Sequence, residues 1–174
     1  VFMGNLPEGQ EFGENETRIG ETVAVLLATH YCNRQLYDEH EEYLLQFVGS
    51  LVSTLDAKDP YTRGHSERVA AIAQRLGEEL HLSPQDVSDI HTAGLLHDIG
   101  KIGVNDAALQ KPTSLTDIEF EHVKQHPLIG YRILRGLRMF HRFLPGVRNH
   151  HEDYSGNGYP DRLRGKSIPL LARI

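Results

Sequence analysis

The sequence predicts an all-α fold for most of the chain, and three observations lead to that prediction. Apolar residues recur at helical spacing between Ile19 and Leu51, with steps that alternate between four and three residues. Two capping patterns, which start at Ser83 and Thr116, precede further helical segments. No alternating strand pattern follows residue 13. We therefore expect a helical bundle, preceded by the strand-like end of another domain over residues 1–13.

The composition excludes several classes of protein. The 174 residues are 39% hydrophobic and 24% charged, which is typical of a globular domain. A net charge of −6 disfavours DNA as a partner. The single cysteine, Cys32, excludes an internal disulfide framework and favours the cytoplasm. No apolar run approaches the roughly 20 residues of a membrane span, and no signal peptide is visible.

A long helix is expected from Glu14 to about Asp56, where Asp59-Pro60 follows. At about 1.5 Å per residue it would be roughly 60 Å long, which favours a connector that pairs with a second copy. The alternative is a surface helix packed on its own domain. Polar residues on the seam would weaken pairing, although Asn33 could set the register. The seam consists of Ile19, Val23, Leu26, His30, Asn33, Tyr37, His40, Leu44, Phe47 and Leu51.

Proline, glycine and capping residues divide the rest of the chain. Helices are expected over residues 62–80, over 84–98 after Ser83, from Thr116 to a limit at Pro127, and over 129–143. Pro145-Gly146 should break the last of these, and the glycine-rich stretch 155–160 is expected to be a loop.

Two polar residues, His97 and Asp98, interrupt an apolar helix. An uncompensated carboxylate there would cost several kcal/mol, and a metal ion would remove that cost. Lys101 follows one turn after His97, so its ammonium could meet an anion held by the same metal. The alternative interpretation is a partly buried ion pair between Asp98 and Lys101.

Further histidines could complete a metal site. His150-His151 precede the glycine-rich loop, where a turn of the backbone could direct both rings to one ion, although a solvated polar turn has the same pattern. His65 and His126 are isolated candidates. Together with His97-Asp98, they offer six nitrogen or oxygen ligands on separate helices, as in dinuclear bundle sites. A set without thiolate suits Fe, Mn, Zn or Ni, and two such ions suit displacement at phosphorus.

Several segments in order resemble the HD-GYP subfamily of the HD phosphohydrolase superfamily. They are residues 59–66, 95–103, 119–134, 150–160 and 168–174, so the resemblance covers about residues 57–174, the expected phosphodiesterase domain. The resemblance implies hydrolysis of the bacterial second messenger cyclic di-GMP to linear pGpG, and onward to GMP, by a hydroxide that bridges two divalent metal ions. Fe or Mn is favoured over Zn or Ni. GGDEF-type diguanylate cyclases are implied as signalling partners.

Transferred by position, the resemblance assigns a role to each candidate residue. Asp98 becomes a bridging ligand, and Lys101 contacts the scissile phosphate. Gly158, Tyr159 and Pro160 form the lip of the site, with Tyr159 near the substrate. The implied histidine ligands are His65, His97, His126, His150 and His151.

Three departures from the family pattern qualify these expectations. The chain reads as an internal fragment, and the family's next acidic ligand would follow Ile174, so weak activity is expected. Ser155 stands where the family usually has Asp. Tyr61 stands where some members have a Glu that binds a third metal, so two metals are expected.

Residues 5–39 resemble the closing strand and last helix of a GAF sensor domain, with residues 1–13 as the end of that domain and 14–56 as a signalling connector. Two other functions remain open. One is a catalytically idle HD-GYP module that signals through binding, which the Ser155 departure permits. The other is an HD nucleotidase for another nucleotide, which the Gly158-Tyr159-Pro160 loop disfavours.

Overall fold

A computed structural model of the chain describes residues 12–59 and 64–174. The strand-like GAF end over residues 1–11, Tyr61 and the predicted helix start at residue 62 lie outside the described residues. Within the described ranges the regular structure is helical throughout, which confirms the predicted all-α class. The α-helices are α1 Glu14–Lys58, α2 His65–Glu79, α3 Pro84–Leu96, α4 Asp106–Leu109, α5 Asp117–Val123, α6 His126–Leu134, α7 Leu144–Asn149 and α8 Leu170–Arg173.

The chain divides into two units, one that ends at Gln46 and one that extends from Phe47 to Ile174. The second unit begins earlier than the predicted domain boundary at residue 57. The reason is that Val48, Val52 and Leu55, at helical spacing on one face of α1, are buried in its core. None of the described helices is both long and apolar enough to cross a membrane.

The core of the second unit lies where α2 packs along α3. There α6 packs on the 3₁₀ helix Ile99–Gly103, and α7 packs on α3, α6 and α8. Its largest buried side chains include Phe140, Leu55 and Ile90. Burial of such apolar area is the main favourable contribution to folding. The ends of α2, α3, α6 and α7 carry the histidines discussed below.

The predicted helix starts at Ser83 and Thr116 are confirmed. The Ser83 hydroxyl accepts a hydrogen bond from the Asp86 N–H at 3.2 Å, and Pro84 occupies the first turn of α3. Thr116 and Glu119 form a reciprocal capping box at the start of α5. Because α3 ends at Leu96, the residues after it turn directly into a 3₁₀ helix, Ile99–Gly103.

The predicted helix over residues 129–143 is wrong at both ends. α6 begins at His126 with Pro127 in its first turn and ends at Leu134. A 3₁₀ turn, Arg138–Phe140, follows, and α7 then begins at Leu144 with Pro145 in its first turn. Proline fits a first helical turn because its missing N–H has no helical partner there. Pro127 and Pro145 therefore lie at the starts of helices, whereas the sequence analysis predicted that each would end one.

Candidate metal centre

The six predicted ligands come together at the ends of four helices. His65 is the first residue of α2 and His126 is the first residue of α6. His97 and Asp98 link α3 to the 3₁₀ helix, and His150-His151 follow α7. Helix ends leave the backbone free to turn, so neighbouring side chains such as these can point to one place.

The ligand atoms form two groups, and the atoms of each group lie within 4.8 Å of one another. The first donor group consists of His126, His150 and His151, and the second donor group consists of His65, His97 and Asp98. Two atoms that bind a common ion at about 2.0–2.2 Å lie at most about 4.4 Å apart, so small side-chain movements would let each group bind one ion. The donors are imidazole and carboxylate only, a set that suits Fe, Mn, Zn or Ni.

Three of the imidazoles are oriented by the backbone in the same way. In each, Nδ1 lies within hydrogen-bond distance of the carbonyl oxygen three residues earlier. A carbonyl only accepts, so Nδ1 carries the proton and Nε2 of the neutral ring is left with its lone pair. Metal-binding histidines are commonly held in this manner. The pairs are His97 with Gly94 at 2.8 Å, His126 with Val123 at 2.7 Å and His150 with Val147 at 2.9 Å.

The freed nitrogen atoms converge. Nε2 of His126 lies 3.1 Å from Nε2 of His150. Two lone pairs at that distance repel each other unless a proton or a cation lies between them. A shared proton satisfies one such contact, whereas a metal ion satisfies every lone pair directed at it.

The carboxylate of Asp98 lies between the two donor groups. Its Oδ2 is 3.3 Å from Nε2 of His97, and its Oδ1 is 3.2 Å from Nε2 of His126. The two oxygen atoms thus face different donor groups, which is the arrangement of a bridging carboxylate. Asp98 is only 4% exposed, so its charge requires compensation from neighbours.

Part of that compensation comes from Lys101. Its Nζ lies 2.8 Å from Oδ2 of Asp98 and 3.5 Å from Oδ2 of the buried Asp59. The ion pair between Asp98 and Lys101, one of the two interpretations of this segment, is therefore present. A predicted contact of Lys101 with a substrate phosphate is compatible with it, because the ammonium has three donors.

Burial and neighbouring charges shift the pKa values in opposite directions within the centre. Burial acts to raise the pKa of Asp98, but the contacts with His126, His97 and Lys101 outweigh it and hold the pKa well below its usual value. Burial, reinforced by the neighbouring imidazoles, lowers the pKa of His150 to about 2 and that of His151 to about 4. Both are neutral at pH 7 and available as ligands.

The predicted lip, Gly158-Tyr159-Pro160, lies against the centre. The ring of Tyr159 stacks on His151 with 4.7 Å between ring centres, and the Tyr159 N–H donates to the His151 carbonyl at 3.1 Å. A Cβ on Gly158 would lie 2.2 Å from the Asp153 nitrogen, so only glycine permits this close approach. Burial and the charge of Asp98 raise the pKa of Tyr159 to about 12.

Residues that the sequence interpretation missed hold this loop in place. The Glu152 carboxylate accepts from the N–H groups of Asp161 and Leu163 at 2.7 and 2.8 Å. Arg148 donates to both oxygens of Asp161 at 2.7 and 2.6 Å. The charged residues on either side of the glycine-rich stretch were the sequence signal from which these bonds could have been predicted. Because Arg148 and Glu152 flank the paired histidines, these bonds connect the loop to the centre.

Ser155, which departs from the family pattern, lies in a closed turn. Its N–H donates to Oδ1 of Asp153 at 2.7 Å, and its hydroxyl accepts from the side chain of Asn157 at 2.8 Å. Such local bonds are typical of turns built on Asp and Ser. The substitution therefore leaves a closed turn at this point of the loop.

Comparison with known proteins agrees with this geometry. A profile of the HD domain matches residues 50–174. The chain is 40% identical over 141 residues to "Cyclic di-GMP phosphodiesterase response regulator RpfG" of Xanthomonas campestris pv. campestris, covering 79% of this chain and 37% of that protein. It is 40% identical over 134 residues to "3'3'-cGAMP-specific phosphodiesterase 3" of Vibrio cholerae, covering 77% of this chain and 29% of that protein.

A third relative is a "Cyclic di-GMP phosphodiesterase" of Thermotoga maritima. It is 38% identical over 142 residues, which cover 80% of this chain and 39% of that protein. The chain thus spans between 29% and 39% of the length of these three relatives.

Proposed function

The chain belongs to the HD-GYP branch of the HD domain family, and we propose that it hydrolyses a phosphodiester bond of cyclic di-GMP with two divalent metal ions. One observation carries the proposal. Nε2 of His126 and Nε2 of His150 face each other at 3.1 Å, while backbone carbonyls hold both Nδ1 atoms. This arrangement costs free energy unless a proton or a cation lies between the rings, and it suits a pair of imidazoles that bind a metal ion.

The proposed ligands are the two donor groups, with Asp98 shared between them. Bound there, two ions would supply Lewis-acid stabilisation of the phosphate and an acidified water molecule. We propose that both ions are iron or manganese. The residues of the chain would fix where these ions bind, because carbonyl groups hold three of the five imidazoles.

Lys101 is proposed to contact the scissile phosphate. Its side chain is 14% exposed and its ammonium is held by Asp98 and Asp59, so it is positioned before a substrate arrives. Tyr159 is proposed to border the substrate from the lip, with its phenol protonated at pH 7 and able to donate a hydrogen bond. The products would be linear pGpG and, after a second cleavage, GMP.

The names of the relatives favour a second substrate of the same class. One protein that is 40% identical to this chain is named for 3'3'-cGAMP, and another with the same identity is named for cyclic di-GMP. Both molecules carry two phosphodiester bonds in one ring. We place cyclic di-GMP first, and 3'3'-cGAMP is the substrate to compare with it.

The connector and its partners are also proposals. Seam residues of α1 are exposed in the unit that ends at Gln46, for example Ile19 at 62% and Leu26 at 64%. Such a row of apolar side chains favours pairing with a second copy. A GAF-like sensor ahead of the connector, GGDEF-type cyclases as partners and a cytoplasmic location complete the proposed role in signalling. Light scattering of a protein with both flanking domains should give a dimer, and a monomer would contradict the connector role.

The test is an activity assay on the complete protein, purified anaerobically and loaded with Fe²⁺ or Mn²⁺. Cyclic di-GMP is incubated with it, and products are separated by chromatography. We expect pGpG to appear, and we expect a chelator to abolish its formation. Binding of cyclic di-GMP without hydrolysis would indicate an idle signalling module. Hydrolysis of mononucleotides in place of cyclic dinucleotides would indicate an HD nucleotidase.

A further inference from the structure

An open cavity of about 800 Å³ lies beside the metal centre. One part of its lining includes His151 and Tyr159, and another comes from α5 and the residues that lead into α6, with Phe120, Lys124 and Gln125. This volume is in the range of small-molecule sites. The cavity is much larger than a single phosphate group requires, and the roles proposed above use only its inner edge.

Lys124 places a positive charge on the wall of this cavity. Its Nζ lies 4.6 Å from the ring centre of Phe120 and 5.7 Å from that of Tyr159. The side chain is 26% exposed, and its Nζ is 2.6 Å from a carboxylate oxygen of Glu121. The two rings favour a cation at this position. The ammonium therefore lies at the cavity surface, ordered but accessible to an anion.

Phe120 adds an apolar face to the same wall. It is 46% exposed although it belongs to a helix of the compact unit. An exposed aromatic ring that lines a cavity and lies next to a cation is a surface on which a base can stack. Lys124 follows the last residue of α5 in helical conformation, one turn after Phe120, so both side chains face the cavity from the same side.

A cyclic dinucleotide presents the chemistry that this wall would bind. While one phosphate reacts at the metal centre, the other half of the ring still carries a second phosphate and a purine base. We propose that the cavity is the subsite for this non-reacting half, in which Lys124 binds the second phosphate and Phe120 stacks on a purine. This assignment rests on the proposed phosphodiesterase function and adds the residues that would distinguish a cyclic dinucleotide from a simple phosphodiester.

Glu121 has the opposite effect on the same ligand. Its carboxylate forms an ion pair with Lys124, and its side chain lines the cavity and is 64% exposed. An incoming phosphate competes with it for the ammonium and is repelled by its charge. Removal of this charge should therefore strengthen binding, whereas removal of the Lys124 charge should weaken it.

The experiment measures binding of a phosphorothioate analogue of cyclic di-GMP, together with kcat and KM for cyclic di-GMP, on the metal-loaded protein. We expect Lys124→Met and Phe120→Ala each to raise Kd and KM about tenfold, because a charge-assisted hydrogen bond or a stacked base is lost. The value of kcat should change much less, because neither residue contacts the reacting phosphate. Glu121→Gln should lower Kd severalfold.

Matched controls separate binding from folding. Ile118 is exposed on the same helix as Phe120, and Lys166 is an exposed lysine outside the cavity. Ile118→Ala and Lys166→Met should leave Kd unchanged. Thermal unfolding of all variants shows whether α5 remains folded. The sign reversal at Glu121 serves the same purpose, because a disrupted helix cannot strengthen binding.

The outcomes distinguish the two claims. If the wild-type protein binds and hydrolyses cyclic di-GMP but Lys124→Met and Phe120→Ala match it in Kd, the subsite is wrong and the phosphodiesterase function stands. If the wild-type protein neither binds the analogue nor hydrolyses cyclic di-GMP, the proposed function fails, and the subsite fails with it. A raised Kd in both variants with a lowered Kd in Glu121→Gln supports the subsite.

Discussion

The two donor groups differ in how the chain makes them ready for a metal. In the first donor group the backbone fixes two of three imidazoles, and burial keeps His150 and His151 neutral. The second donor group contains the carboxylate, and its charge is balanced by side chains that include His97 and Lys101. The first therefore contains two imidazoles that stay neutral, whereas the second is an ionic network. Asp98 joins them, because one oxygen faces each.

The largest expected effect comes from the shared carboxylate. Asp98→Asn removes the charge that both donor groups use, and we expect activity to fall by more than about a thousandfold, with loss of bound metal. Cyclic di-GMP turnover and metal content are the measurements. Asp89→Asn is the control, because Asp89 is also a buried carboxylate of the same unit but pairs with Arg142. Near-normal activity of Asp98→Asn would rule out the bridging role.

Removal of one histidine from each group tests whether the groups are separate. His126 is 1% exposed and lies next to both His150 and Asp98, whereas His65 is half-buried at the start of α2. We expect His126→Ala to weaken metal binding by more than the roughly 10–100-fold of outer-shell changes. His65→Ala should weaken one metal equivalent and spare the other. Titration with Mn²⁺ measures the affinity of each equivalent, and loss of both equivalents in His65→Ala would contradict the separation of the groups.

Gly100 sets the distance between the elements that carry the two groups. A Cβ there would lie 1.8 Å from the carbonyl oxygen of His126, so Gly100→Ala must push the 3₁₀ helix away from α6. We expect a loss of about 3 kcal/mol in the free energy of unfolding and weaker metal binding. Gly49→Ala is the control, since nothing lies within 4 Å of its added Cβ, and it should stabilise α1 by about 0.5–1 kcal/mol. Urea unfolding compares them.

The pKa shifts predict a smaller, pH-dependent contrast in metal-free protein. Burial lowers the pKa of His97, but its contact with Asp98 raises it more, and the net shift is upward. In histidine NMR titrations, His97 should titrate above 6.5, whereas His150 and His151 should stay neutral between pH 5 and 8. A His97 resonance that titrates below 6.5 would remove the electrostatic difference between the groups.

The effect on stability follows from the sign of each shift. Unfolded His150 and His151 bind protons below about pH 6.5 and the folded rings do not, so acidification from pH 7 towards 4 lowers the free energy of unfolding. His97 acts in the opposite sense: its contribution is present below about 6.5 and is lost as pH rises through its raised pKa. Thermal unfolding from pH 4 to 8 should show net destabilisation by acid.

Local signals made part of the centre predictable from the sequence. His97 and Asp98 interrupt an apolar helix, which only a special environment tolerates, and Ser83 and Thr116 mark helix starts through their own side-chain chemistry. His65 and His126 were different, because nothing in their neighbourhood sets them apart from other histidines of the chain. Their assignment depended on the resemblance to a family.

Other features depend on tertiary contacts that no short pattern contains. Pro127 and Pro145 could either end or start a helix, and packing of α6 and α7 decided the latter. The bonds from Arg148 to Asp161 and the approach of Lys124 to Tyr159 join residues that are far apart in the sequence. Such pairs are fixed only when the helices pack, so the cavity wall was not foreseeable.

The central claim is that two donor groups share Asp98 and hold two metal ions. The most direct test is metal stoichiometry, measured by mass spectrometry after anaerobic saturation with Mn²⁺ and gel filtration. The structure predicts two equivalents per chain for the wild-type protein and fewer than one for Asp98→Asn. A single equivalent in the wild-type protein, or an unchanged content in Asp98→Asn, would contradict a shared two-metal centre.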